Sequence, residues 1–594
     1  MTTAVLSRAP LRMRIVFLTL VAAGLILAAR LFFIQIIEMD RYSHRLSDQV
    51  QFQATLPARR GDIVTADGTL LATDVFVYTI RATPRDIQQP ERVAATLAPI
   101  LGQSYDAVLA KLRSADKNVI LAQEVPHTVA RLVQNAKERL EKEGVALGGL
   151  EMHVHLKRVY PANAFAAQVV GYVNAMRDPA YGIEQEFDST LRGTDGRISG
   201  LSDALRDLIP FAVPLSQPAV NGSRIVLTLS SSIQRVAEVE LGTAVRETRA
   251  SGGTIIVLDV KTGAILAMAS LPVADLNAFH DPANADKYAN PAISAQYEPG
   301  SVFKIITVAC ALDAGIVNAH SVFEDSGSIS IGGRTFNNPN NLVPGRVNLT
   351  DVLRLSLNVE AVKLGVGLGA ERFYRCVRDF GFGSLTRIEL ANEVAGKVKS
   401  VGDGEWREAD LAANTFGQSI AVTPLQMIMA VSAVANHGTL MRPYIVQEIQ
   451  PPQSASLVSV HTESGTEKHE RWGQRTLPTP VRQVIRPEVA RTLTRLLADA
   501  IMGESSHRAA VPGYRIAGKT GTAQIPIVGG LDPRWTIASF AGYLPADDPR
   551  IAILVKIDKP QTSPWGSEVA APVFAAVAKQ VVILLGIPPD SARQ

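Results

Sequence analysis

The chain has 594 residues, 47% of them hydrophobic and 19% charged, so it is too long for one compact core and ordinary in composition for globular protein. Fifty-nine Lys and Arg against 56 Asp and Glu leave a formal charge of +3, too balanced for a nucleic-acid binder. No CxxC, HExxH or EF-hand spacing occurs, so neither a metal nor another cofactor is expected.

The N-terminus carries the first signal. Residues 15–29 form an apolar run, Arg30 breaks it, and residues 31–37 resume it with only Gln35 polar. A helix needs roughly 20 residues to cross a bilayer core, and this segment reaches that length if Arg30 snorkels to the far interface. A cleaved signal peptide would give way to polar sequence after its apolar stretch. The resumption beyond Arg30 points instead to an uncleaved anchor over residues 12–37. Arg8, Arg12 and Arg14 precede the apolar run, so the positive-inside rule places the tail, residues 1–11, in the cytoplasm and the rest of the chain outside. No second span is evident.

After the anchor, Arg60-Gly61-Asp62-Ile63-Val64 and the turn Asp67-Gly68 suggest a strand entering a hairpin. Residues 86–145 read as polar helices, with Val93, Leu97, Ile100 and Leu101 at helical spacing. RVYPANAFAAQVVGYVNA follows from Arg158, and YGIEQEFDSTLRGTDG from Tyr181 predicts a short helix ending at a Gly-rich turn. No catalytic constellation precedes residue 220, so residues 38–222 are expected to be a spacer or docking domain. Composition shifts near Pro218 to Gly222. Residues 223–587 then predict strand, helix and a hairpin whose strands, 254–260 and 264–269, meet at Lys261-Thr262-Gly263. A long helical middle follows, then strands at 535–543 and 550–557 across the turn Pro545-Ala546-Asp547-Asp548-Pro549, and a helix near 570–585. Residues 588–594 form a tail. Strands at both ends with helices between imply one sheet built from distant segments, an α/β or α+β layered domain. Cys310 and Cys376 lie in apolar, helix-like contexts and are expected to be buried thiols rather than a disulfide.

One lysine stands out. In YEPGSVFKIIT, Lys304 sits between Val302-Phe303 and Ile305-Ile306. Pro299-Gly300 predicts a turn and the apolar pattern after it a helix ending near Gly315, so Ser301 falls at the helix start with Lys304 on the same face. A serine hydroxyl needs a base to become a nucleophile. Apolar neighbours favour the neutral amine that can be that base, and free N–H groups of the first turn can stabilise an oxyanion. The bland reading is an N-cap serine with a snorkelling lysine. A second Ser-x-x-Lys, Ser114 to Lys117, lies among Lys111, Arg113 and Asn118, where nothing lowers the lysine pKa.

Two later motifs strengthen the Ser301 pair. Ser356-Leu357-Asn358 supplies a serine able to relay protons and an amide able to hold a peptide, although alone it reads as a polar turn before a helix. Lys519-Thr520-Gly521-Thr522 supplies a cation and hydroxyls able to hold a substrate carboxylate, and Gly521 lets another chain segment approach closely. The earlier Lys-Thr-Gly at 261–263 reads as an ordinary turn.

Ser-x-x-Lys, Ser-x-Asn and Lys-Thr-Gly in this order match the signature of penicillin-binding proteins and serine β-lactamases. QYEPGSVFKIITVACALDAG, LRLSLNVEAVKLG, FGQSIAVTPLQMIMAVSAVANHG, GKTGTAQ, SFAGYLPADDPRIAILVKIDKP and VAAPVF resemble class B penicillin-binding proteins. The anchor, Arg60-Gly61-Asp62, RVYP and GIEQEFDSTLRG are similar to that family's pedestal, so nearly the whole chain is covered. The strongest likeness is to the division-specific, septal transpeptidase. Val302 departs from the threonine frequent at the second position of the first motif.

The resemblance implies a penicillin-binding transpeptidase domain, a sheet flanked by helices, over 223–587, and an elongated pedestal (dimerisation-type) domain over 38–222. It implies peptidoglycan D,D-transpeptidation. Ser301 would attack the penultimate D-alanine carbonyl of a stem peptide and Lys304 would take its proton. Ser356 would pass a proton to the leaving amine, and Asn358 would hold the donor peptide. Lys519, with Thr520, Gly521 and Thr522, would bind the terminal carboxylate, and the N–H groups of Ser301 and Thr522 would form the oxyanion hole. Implied partners are stem peptides, lipid-linked glycan strands, β-lactams, a membrane glycosyltransferase and division proteins, at the inner membrane with the catalytic domain periplasmic. The alternatives are an elongation-specific transpeptidase, a D,D-carboxypeptidase, and a β-lactamase-like hydrolase for which Glu393 is the nominal deacylating base. A β-lactam sensor and an inactive scaffold are non-enzymatic alternatives. Nothing in 38–222 matches the glycosyltransferase domain of a bifunctional protein.

Overall fold

The computed structural model describes residues 9–38, 51–201, 215–399, 401–452, 473–501, 507–527 and 530–592. Arg8, most of the 1–11 tail and the last two residues of the C-terminal tail lie outside them. The chain divides into two units, one of Met1–Ala58 with Thr194–Asn221 and one of Arg59–Gly193 with Gly222–Gln594.

In the first unit the apolar run forms a helix, Ala9–Phe32, continued by a π turn over Phe33–Ile37. The most apolar window of Met13–Ile37 has a mean hydropathy of 2.4, and none of that window is buried against protein. An apolar, uncovered helix fits a lipid surrounding, as the expected single N-terminal span requires. Three antiparallel strands, Gln51–Leu56, Gly196–Leu201 and Leu215–Gln217, accompany it. A second stretch, Gly566–Leu584, is long and apolar enough to span, but half of its most apolar window is buried in the core of the second unit.

The second unit opens with the predicted hairpin: Ile63–Val64 pairs with Leu70–Ala82, and Gly68 in the turn has φ +84°. Helices Pro90–Leu101, Tyr105–Leu112 and His127–Lys142 bury Val93, Leu97, Val133 and Leu140 in a common core. A strand, Val119–Pro126, interrupts the stretch expected to be helical throughout, because it pairs with Leu70–Ala82. Arg60, Arg158 and Glu184 bring together three segments far apart in sequence. Glu184, fully buried, accepts from Arg60 Nε at 2.6 Å and from Arg158 Nε at 2.7 Å. Asp188 takes Arg60 Nη1 at 2.6 Å. Buried charges survive only when paired in this way.

Residues beyond 222 build a five-stranded sheet. Its members are β1 (Gly252–Asp259), β2 (Ile265–Leu271), β3 (Ala517–Ile527), β4 (Gly530–Leu544) and β5 (Ile551–Asp558). The order is β2-β1-β5-β4-β3 and every pairing is antiparallel. As the sequence predicted, distant segments share one sheet. Strand β1 is buried on both faces, which explains its continuous apolar sequence. Ile255 and Val257 pack with α1 (Ser231–Thr248) and with Phe574 and Val577 near the C-terminus, whereas Ile256 and Leu258 enter the larger core on the other face. That larger core holds α2 (Lys304–Asp313), α3 (Asn358–Leu368), α4 (Ala370–Asp379) and α5 (Pro424–Ala435). A short helix α6 (Gly566–Val569) and α7 (Ala571–Leu584) close the chain against the first face.

One expectation is corrected. Cys310 and Cys376 are not free thiols; they form a disulfide joining α2 to α4, with Cα atoms 6.1 Å apart. That spacing lies within disulfide reach. Cys310 lies in the apolar α2 and Cys376, half-buried, in the amphipathic α4 that packs on it, so neither local context marks the pair, and the pairing across 66 residues exists only in the fold. Replacing both with alanine is expected to lower unfolding stability by roughly 2–4 kcal/mol, read as a fall in melting temperature. Two thiols reacting in the denatured, unreduced protein would contradict the bond.

Candidate active site

Ser301 lies in a 3₁₀ turn, Gly300–Phe303, that runs directly into α2 at Lys304. The predicted helix is therefore 3₁₀ at its start, and its three-residue period stacks Ser301 above Lys304. Gly300 has φ +56°. A Cβ there would stand 2.9 Å from Thr522 O, and one on Gly417 only 2.2 Å from Gly300 O. Gly521 is also closely packed: its Cβ would meet Ser539 Oγ at 2.5 Å, Val302 Cγ2 at 2.8 Å and Pro299 O at 2.9 Å. The serine turn is thus seated on strand β3 at a place where only glycine fits, which is the close approach expected of Gly521.

Lys304 is 0% exposed. Its Nζ donates to Ser356 O at 2.5 Å, Ser356 Oγ at 3.1 Å and Asn358 Oδ1 at 2.8 Å. Ser356 has φ +56°, an uncommon backbone for a residue with a side chain and of the kind that collects at functional sites. It forms the turn before α3, and Asn358 opens that helix. Asn358 Nδ2 donates to Asn337 O at 2.8 Å, which fixes which end of the amide faces Lys304. Behind it Asn338 Oδ1 accepts from Val359 N at 3.0 Å, and Asn338 Nδ2 donates to the buried Asp325 at 2.8 Å.

Burial pushes the Lys304 pKa well below the ordinary 10.5; the nearby Lys519 charge adds to this and Asp325 opposes it. Lys519, 3% exposed, is lowered to about 8 by burial. A neutral Lys304 amine keeps two protons for Ser356 O and Asn358 and turns its lone pair to a serine hydroxyl. Along β3, successive side chains face opposite ways. Lys519 and Gly521 are buried, while Thr520 and Thr522 line a cavity of about 490 Å³ together with Ser301, Ser356 and Asn358. Thr522 Oγ1 accepts from Gly566 N at 3.1 Å.

The structure therefore brings together all eight predicted residues: five line the cavity, Lys304 and Lys519 lie buried behind it, and Gly521 seats the serine turn. The decoys lie elsewhere. Ser114 bonds Asp116 at 2.8 Å on an exposed face, and Lys261 pairs with Asp548 at 2.8 Å in the β1–β2 turn. Glu393 accepts from Thr386 N at 2.7 Å and Arg387 N at 2.9 Å; it holds a loop and is absent from the cavity lining. Sequence reasoning missed Arg354, Phe416, Gln418, Trp565 and Glu568, which also line the cavity. Gln418 and Glu568 lie in or beside FGQSIAVTP and VAAPVF, segments that carry the resemblance but no chemical motif. Glu298, in the YEPGS stretch, accepts from Ser419 N at 2.9 Å and so pins the loop that presents Gln418.

Comparison with known proteins agrees with this geometry. Residues 253–579 match the penicillin-binding protein transpeptidase domain, and residues 55–227 match the penicillin-binding protein dimerisation domain. Stage V sporulation protein D of Bacillus subtilis is 30% identical over 98% of this chain and 87% of its own length. Peptidoglycan D,D-transpeptidase FtsI of Escherichia coli is 28% identical over 90% of this chain and 84% of its own. Among solved structures, penicillin-binding protein 3 of Mycobacterium tuberculosis, complexed with aztreonam, aligns with a TM-score of 0.66 at 26% identity over 90% of this chain and 98% of that one. The chain belongs to the penicillin-binding proteins of class B, which join a dimerisation domain to a transpeptidase domain.

Two outcomes follow from the geometry. With Lys304 as the base and Lys519 as the cation that holds the carboxylate, acylation by penicillin would require the first neutral and the second charged. Its rate is expected to climb as Lys304 loses its proton, at a pH far below the ordinary 10.5, and to fall above about 8 as Lys519 loses its charge. A rate rising steadily to the ordinary lysine value would contradict the assignment. Gly521→Ala should displace the Ser301 turn and slow acylation roughly 10- to 100-fold, measured by stopped-flow with a chromogenic β-lactam.

Proposed function

We propose that this protein is the septal peptidoglycan D,D-transpeptidase of its cell, a serine acyltransferase and β-lactam target. The observation that carries the reading is the fully buried Lys304 held on Ser356 and Asn358, one 3₁₀ turn from Ser301. Ser301 Oγ attacks the carbonyl of the penultimate D-alanine and gives its proton to Lys304. The N–H groups of Ser301 and Thr522 receive the oxyanion. Ser356 passes the proton to the departing D-alanine nitrogen, and the C–N bond breaks. Asn358 holds the donor peptide, and Lys519 with the Thr520 and Thr522 hydroxyls takes its carboxylate. An amine of a second stem peptide then attacks the ester, forming the cross-link and returning the proton to Ser301.

We assign residues 1–11 to a cytoplasmic tail, 12–37 to the anchor, 38–222 to the pedestal, 223–587 to the transpeptidase domain and 588–594 to a tail. Arg12 and Arg14, at the N-terminal end of the anchor and ahead of its apolar run, support an N-terminus in the cytoplasm. The Cys310–Cys376 disulfide supports an oxidising, periplasmic compartment for the catalytic region. The likeness to septal transpeptidases supports a role in division, with a membrane glycosyltransferase and division proteins as partners. The test is intact-mass spectrometry of the protein with penicillin. The expected result is an adduct of one drug mass that persists for hours and is lost in Ser301→Ala. Rapid turnover of the drug would instead identify a β-lactamase, and no adduct on folded protein would remove the enzymatic reading.

A further inference from the structure

The cavity in front of Ser301 is electrically lopsided. Among the described residues that line it, two are charged: Arg354, on the wall that carries Ser356, and Glu568, on the wall that carries Thr522. Arg354 is paired with Asp351 at 2.7 Å. Glu568 is exposed, and no described residue makes a hydrogen bond or ion pair to its carboxylate. Its mount is nonetheless rigid. Glu568 N donates to Trp565 O at 3.0 Å, and Gly566 N donates to Thr522 Oγ1 at 3.1 Å. A Cβ on Gly566 would fall 2.3 Å from Gly521 O. An unpaired carboxylate is thus fixed at the mouth of the site by the same strand that faces the nucleophile.

Once the donor D-alanine has left, the chemistry lacks an amine, which arrives from water as an ammonium ion. We propose that Glu568 is the residue that gathers the acceptor ammonium at the cavity mouth, favouring transfer of the acyl group to an amine over its loss to water. The proposal rests on the transpeptidase reading and deepens it. The ammonium docks against Glu568 and releases one proton to solvent as it moves inward. Its nitrogen lone pair then forms the bond to the acyl carbon, and the bond from that carbon to Ser301 Oγ breaks. The second proton passes through Lys304 to Ser301 Oγ. Glu568 acts on the encounter, so its signature is the acceptor KM rather than kcat.

The test uses the full chain in detergent with a peptide donor ending in D-Ala-D-Ala. The acyl-enzyme is offered glycinamide, a cationic amine, or hydroxylamine, an uncharged nucleophile near neutral pH. The ratio of transferred to hydrolysed product is then read by mass spectrometry. Glu568→Gln is expected to lower the glycinamide ratio relative to the hydroxylamine ratio roughly three- to tenfold through a raised acceptor KM, a gap that added salt closes. An equal effect on both nucleophiles, or none, overturns the proposal. A higher ratio also overturns it, because Glu568 would then be activating water. If penicillin fails to label Ser301 in the unsubstituted chain, the transpeptidase reading itself falls; labelling with an unaltered ratio removes only the role of Glu568.

Discussion

Everything at this site depends on one costly act of burial. Lys304 has no exposed surface, and an ammonium moved from water into an apolar core pays several kcal/mol unless it is well paired. Among the described residues it has no carboxylate partner within hydrogen-bonding distance. The fold supplies two oxygens of Ser356 and one of Asn358 instead, neutral groups that accept from an amine in either protonation state. Lys519 adds a repulsive charge from the strand side. The surroundings therefore favour loss of the proton, because the core around the lysine is apolar, which is what the proposed role as base requires.

The rest of the domain keeps that lysine and its serine in register. The turn carrying Ser301 is clamped between Gly417 and β3 by glycines whose missing Cβ atoms would collide with backbone. Thr307 Oγ1, one turn beyond Lys304, donates to Thr415 O at 2.6 Å, and the disulfide fastens the far half of α2 to α4. Packing at both ends of the helix and bonding in the middle leave its N-terminus little freedom. Preorganisation of this kind is what allows a weak hydroxyl nucleophile to react without reorganising its surroundings.

The legible part of this molecule was the part with a local signature. A lysine between two apolar pairs, a serine three residues before it, and a Lys-Thr-Gly-Thr strand each announce their environment within a few residues. The anchor, the β1–β2 hairpin and the late strands read correctly for the same reason: a continuous apolar run or a turn sequence decides them. What stayed hidden depended on distance. Cys310 meets Cys376 only after two helices pack. Val119–Pro126 is a strand only because Leu70–Ala82 offers it an edge. Gln418 reaches the cavity on a loop pinned by Glu298 and Glu568 on the short helix α6 pinned by Thr522, and no nearby pattern marks either as facing a substrate.

The most direct test of the account is the protonation state of Lys304 itself, measured by nitrogen NMR on protein labelled at lysine Nζ, with its resonance assigned from Lys304→Gln. The account predicts a resonance that titrates far below the ordinary lysine value. A resonance that stays that of an ammonium ion up to the ordinary 10.5 would contradict it, because a lysine still charged there could not be the base that activates Ser301.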